Sequence, residues 1–100
     1  MTQNSHVLEL AIFTVKEGFE QQMPELRVVL REALKHFDGL IEYTGYCPAP
    51  QGRVFVDLAK WDSLESAHTV AQAFERGDAR FAPYAHAIEA ITFMGHFHPE

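Results

Sequence analysis

Cysteine is close to absent here: Cys47 is the only one among 100 residues. A lone thiol excludes an internal disulfide and a thiolate metal cluster, and it makes a reducing cytoplasm the expected compartment. Cys47 stands beside Pro48 in the turn-like stretch CPAPQG with no activating partner in sequence, so it reads as a passive thiol. Positive charge is scarce as well. The 8 Lys and Arg are scattered singly against 14 Asp and Glu, for a net charge of −6. With no basic stripe, nothing neutralises nucleic-acid phosphates or holds an anionic membrane surface. No apolar run approaches the roughly 20 residues that span a bilayer. The opening MTQNSH has no charged stretch ahead of an apolar one, so no secretory signal is read there. Internal repeats, a nucleotide-binding glycine loop and a domain-dividing linker are missing too.

What is present is an ordinary globular composition, 47% hydrophobic and 22% charged. The length suits one domain, 1–100 with a flexible leader over 1–6. A chain of this size buries about 65% of its unfolded surface, a small core that a second copy would enlarge. Val7 to Lys16 alternates as a strand and breaks at Glu17-Gly18. Phe19, Met23, Leu26, Leu30, Leu34 and Phe37 then recur at three- and four-residue spacing, an amphipathic helix starting near Gln21 with Pro24 in its first turn and Gly39 as terminator. Leu40 to Cys47 reads as a second strand, joined through Pro48 to Gly52 to a third from Arg53 to Trp61. A second helix follows from about Ser63 to Arg76, a short third near Ala79 to Ile88, and a last strand from Glu89 to His98.

The order β-α-β-β-α-(α)-β is the α+β, ferredoxin-like split βαβ arrangement, a four-stranded antiparallel sheet with helices on one face. Its most informative stretch is RVFVDLAKWDSLESA, a strand that ends on the only tryptophan and turns at once into a capped helix. Asp62 or Ser63 is placed to cap it, and Glu65 follows Asp62 at capping-box spacing. The aliphatic face (Leu8, Leu10, Ile12; Val54, Val56, Leu58; Ile91, Phe93) is expected under the helices. The other face mixes Phe13, Phe55, Trp61 and Met94 with Glu9, Glu42 and Asp57, too apolar for a wet surface and too polar for an ordinary core. That mixture suits a sheet-to-sheet homodimer interface with interior water or side-chain pairing.

With KWDSLESA at the third-strand-to-helix junction, the chain resembles the antibiotic biosynthesis monooxygenase-like proteins of the dimeric α/β-barrel superfamily, over roughly Val7 to Phe97. The matching positions are Trp61, Ser63, Glu65 and Ala67, a pattern that marks fold more than chemistry. The resemblance implies two sheets paired back to back into a barrel. It also implies one of several divergent functions: cofactor-independent oxidation of aromatic polyketides by dioxygen, haem degradation, lactone isomerisation, or none known. Haem-degrading members use an Asn on the first strand and a Trp and a His on the later helices. VLELAIFTV has no Asn and helices two and three have no Trp, which sets haem aside.

The expected activity is therefore a cofactor-independent monooxygenase or related isomerase acting on a small aromatic or quinone-like molecule. The alternative is a non-catalytic small-ligand-binding or structural homodimer. His68 shares a helix side with Leu64 and Ala71 and is the candidate base, or else a core-edge histidine bonded to backbone. Tyr43 and Tyr84 position a substrate hydroxyl, or close the core with their OH groups at its rim. Trp61 is a wall for an aromatic ligand, or a packing residue at the turn and dimer seam. Glu9 and Asp57, on adjacent central strands, share a proton as an acid/base pair or take structural partners inside the barrel. His96 and His98 form an H-x-H pair that with Glu9 or Asp57 makes a weak metal pattern; the simpler reading is a terminal pair at the dimer seam, and no metal residue is assigned. A sizeable cavity reached by His68 and Tyr84 would favour the enzyme; an interior filled by Phe19, Met23, Phe74 and Phe81 would favour the structural reading.

Overall fold

The strand segments of the sequence pair into one four-stranded antiparallel sheet that needs cover on one face. The computed structural model describes residues 6–100. It contains β1 (Val7–Val15), α1 (Met23–Leu34), β2 (Leu40–Tyr46), β3 (Val54–Trp61), α2 (Leu64–Glu75), α3 (Ala82–Ala87) and β4 (Ile88–Phe97), with 3₁₀ turns leading into α1 and α3. All but His6 of the expected leader lies outside the described residues. The strand order is β2-β3-β1-β4, the ferredoxin-like order read from the sequence. Among the described residues no helix is long and apolar enough to cross a membrane.

Pro24 sits in the first turn of α1, where its missing N–H costs no bond. The cap of α2 is Ser63, whose hydroxyl accepts from the Ser66 N–H at 3.1 Å. With Ser63 as cap the third helical residue is Ser66, so the Asp62–Glu65 capping box does not form. Gly39 turns the chain at φ 97 close against α2, where a Cβ would lie 2.4 Å from the Ser66 hydroxyl.

The face assignment is reversed from expectation. Phe13, Phe55, Ala59 and Trp61 are buried beneath the helices with Val7 and Val15. The aliphatic set is the open face: Leu8 and Leu58 line a shallow surface groove with Glu42, Thr44 and Tyr46, while Val54, Phe93 and Phe97 are exposed. A bulge between Leu40 and Glu42 moves Glu42, Thr44 and Tyr46 off the face that carries Trp61 and puts Tyr43 there instead. A second bulge, between Ile12 and Phe13, leaves Thr92 unpaired and brings Ile91 opposite Phe13, on the covered side, while Phe93 opposite Ile12 stays outside. Alternation separates two faces without saying which one the helices cover. Here the aromatic rings decide, since Phe13 and Phe55 interlock with Tyr84 from α3 and with Leu30, Leu34, Val70 and Phe81 in one cluster.

Candidate functional site

Two polar groups sit inside this otherwise apolar layer, and each is built from a strand outward. Asp57 lies mid-strand on β3 between Phe55 and Ala59. Arg27, on the buried stripe of α1 between Met23 and Leu30, reaches down to it. Its Nη2 donates to Asp57 Oδ1 at 2.7 Å and to the Val56 carbonyl at 3.1 Å, and the guanidinium lies over the Phe55 ring. Tyr43 from β2 donates to Oδ1 at 2.8 Å, and Tyr84 from α3 donates to Oδ2 at 2.7 Å. Arg27 Nε donates to the Tyr84 oxygen at 3.3 Å, closing the network. Burial, and next the Asp57 charge, push both phenols above their ordinary range, so they serve as donors and not as bases. Gly45 makes room: a Cβ there would sit 2.6 Å from the Arg27 guanidinium carbon. Among the described residues no buried side-chain polar atom lacks a partner.

The second group is Glu9 on β1. Trp61 Nε1 donates to its Oε1 at 3.1 Å, and His96 Nε2 of β4 lies 3.3 Å from the same oxygen. No side chain among the described residues bonds its Oε2. Burial raises the Glu9 carboxyl above its ordinary value, opposed by His96 and Trp61. Glu9 and Asp57 are thus near each other on the central strands but separately partnered, the structural alternative of the two read from sequence.

Between these groups and the helices lies a cavity of about 160 Å3. Glu9, Asp57, Tyr43, Trp61 and Tyr84 line it together with Ala11, Phe13, Leu30, Phe74 and Phe81, and it reaches solvent past Glu75, Ile91 and Met94. Three of the sequence-predicted site residues, Tyr43, Trp61 and Tyr84, therefore converge. Trp61 turns toward this interior and not toward the open sheet face. His68 does not join them. The buried stripe of α2 runs through Ala67, Val70 and Ala73, which rotates His68 outward to an exposed position, where its ring meets His96 edge-on at 5.2 Å between centroids. His98 lies beyond the end of β4, and among the described residues no group of three or more His, Cys, Asp or Glu side chains is placed to hold a metal ion. Cys47 is exposed.

Sequence reading missed Arg27. The signal was there: a charged residue four after Met23 and three before Leu30 occupies the centre of an apolar stripe, where a charge requires a buried partner.

No family model matches the sequence, and no curated protein is similar to it at the sequence level. Solved structures are similar in fold. A candidate antibiotic biosynthesis monooxygenase from Chloroflexus aurantiacus superposes with a TM-score of 0.72 at 17% identity, covering 95% of this chain and 93% of its own. The fold is that of the antibiotic biosynthesis monooxygenase proteins. A second such protein, from Bordetella bronchiseptica, gives a TM-score of 0.69 at 13% identity over 97% of this chain and 99% of its own. SnoaB, a cofactor-independent oxygenase from Streptomyces nogalater, gives 0.68 at 16% identity over 96% and 92%. At these identities the likeness is one of architecture, and within that architecture the Glu9 and Asp57 clusters are read from this chain's own side chains.

Proposed function

We propose that this protein is a cofactor-independent monooxygenase, or a related isomerase, acting on a small aromatic or quinone-like molecule in the cavity between sheet and helices. One observation carries the reading: a carboxylate, Glu9, is held by one oxygen in the wall of an apolar cavity of one-ring size. The volume matches the roughly 150 Å3 that holds a benzene in an engineered cavity, so a larger substrate would extend through the mouth past Ile91 and Met94. The fold shared with SnoaB, a cofactor-independent oxygenase, supports the same reading.

Glu9 replaces His68 as the proposed base, because it lines the cavity and His68 does not. Its free oxygen takes a proton from an activated ring methylene. The electron-rich anion passes one electron to dioxygen, and the substrate radical and superoxide combine to form the new C–O bond. Glu9 returns the proton to the peroxide, which loses water to leave a carbonyl, so one oxygen atom enters the product and the other leaves as water. Isomerisation would use the same proton removal and return without dioxygen. Tyr43 and Tyr84 border the substrate, and Trp61 forms its wall and fixes Glu9.

Oxygen uptake with a panel of anthrones and hydroquinones tests this. Wild type is expected to consume oxygen, and Glu9→Gln to lose at least about 100-fold in rate. Uptake unchanged in Glu9→Gln would remove the base assignment. The saturated Asp57 network, which looks built for stability, favours a second reading in which the cavity binds a ring without turning it over. Trp61 is the only tryptophan, so its fluorescence reports binding directly. Quenching by a ligand with neither oxygen uptake nor isomerisation would select the binding protein.

We also infer that two copies pair through the open aliphatic face. Tyr46, Val54, Phe93 and Phe97 leave that face exposed and apolar across three strands, and a second identical sheet is its natural complement.

A further inference from the structure

Both groups that hold Glu9 grip the same oxygen. Trp61 Nε1 and His96 Nε2 lie 3.1 and 3.3 Å from Oε1, which leaves Oε2 as the acceptor with no partner among the described residues. Trp61 is fully buried and can only donate, so it fixes position and carries no proton. His96 differs. Its side chain is 17% exposed, and His68, exposed on α2, packs edge-on against its outer side. The contact runs from the cavity through Glu9 and His96 to His68 at the surface.

We infer that His96 is a positioning residue for the cavity carboxylate: as the Nε2–H tautomer it holds Oε1 of Glu9, keeps Oε2 free and ionised for the substrate, and is itself kept in place by His68. The inference rests on the reading of Glu9 as base. Two physical effects compete at Glu9. Burial favours the protonated, inactive acid, while the imidazole donor favours the carboxylate. The other titratable groups around the cavity are Asp57 from β3, Tyr43 from β2, Tyr84 from α3 and Glu75 from α2. Asp57 pushes Glu9 toward the acid, and its own charge is held by Arg27. Among the described side chains that hydrogen-bond Glu9, Trp61 and His96, the imidazole is the one able to carry a positive charge.

The test has two arms. In the first, the Glu9 carboxyl is titrated by carbon NMR in the absence of substrate. His96→Ala is expected to move its midpoint up by about one pH unit, while His96→Gln, whose amide still donates, moves it less. In the second, oxygen uptake is followed against pH. His96→Ala is expected to shift the acid limb of kcat upward with KM little changed, His96→Gln to recover most of the rate at neutral pH, and His68→Ala to fall between wild type and His96→Ala. A carboxyl midpoint that ignores His96→Ala overturns the inference, whatever the activity. If wild type consumes no oxygen with any panel member, the oxygenase reading fails and the carboxyl titration alone decides whether His96 governs Glu9.

Discussion

Arg27 is the residue on which the interior most depends. Its side chain is 6% exposed and that of Asp57 16%, so each charge is stabilised chiefly by the other and by the two phenols. Removing one partner leaves a buried charge uncompensated. Asp57→Asn is expected to lower unfolding free energy by about 3–5 kcal/mol. The double variant Arg27→Met/Asp57→Asn should recover much of that loss, because neither charge then remains buried. Urea titration of the four-member cycle measures it, and additive losses would show that the pair is not coupled. Glu9 makes the opposite case. Its carboxyl is raised in the folded state, so the folded protein holds a proton that the unfolded chain has begun to lose. That contribution to stability is complete below the unfolded value of 4.5 and disappears as pH rises through the folded value. Glu9→Gln is therefore expected to be more stable than wild type near neutral pH, with the difference shrinking toward pH 4.5 and below. Stability curves of both proteins between acid and neutral pH check the sign. A residue that costs stability where it is ionised is what a functional carboxylate looks like.

At the scale of elements, the junction of β3 with α2 carries the most structure per residue. β3 delivers Phe55, Asp57 and Trp61 to the covered face, and Ser63 then starts a helix whose small residues Ala67 and Ala73 let it lie close to the sheet. Ser63→Ala is expected to cost about 1 kcal/mol through loss of the bond to the Ser66 N–H. A denaturation midpoint unchanged in that variant would mean that another group caps α2. α1 ends at Leu34, short of the stop read at Asp38-Gly39, and α3 begins at Ala82 after a 3₁₀ turn and not near Ala79. The boundaries of the four strands and of α2 were legible to within a residue, because turn residues and periodicity agree at each end. The orientation of α2 was not. Leu64, Ala67, His68, Ala71 and Phe74 and the observed buried set Ala67, Val70 and Ala73 are both helical stripes, offset by part of a turn. That offset is enough to carry His68 out of the interior, and only the sheet beneath α2 selects between them.

For the whole molecule, the open sheet face is the feature with the largest consequence. It spans four strands and presents Val54, Phe93 and Phe97, each more than 40% exposed. Sedimentation is expected to give a dimer mass at micromolar concentration. Phe93→Glu, which places a charge midway along the edge strand β4 on that face, is expected to give a monomer that keeps its secondary structure. A wild-type monomer would remove the proposed pairing.

The order and type of the elements, the antiparallel ferredoxin-like sheet and the adjacency of Glu9 and Asp57 on its central strands follow from the sequence by itself, since periodicity, caps and turn residues are local properties. Which face the helices cover is a global choice, settled by how Phe13, Phe55 and Trp61 fit beneath Leu30, Val70, Phe81 and Tyr84. Tertiary structure alone could bring Arg27 to Asp57 across 30 positions and His96 to Glu9 across 87. Those contacts depend on register and on strand bulges, which no local pattern encodes.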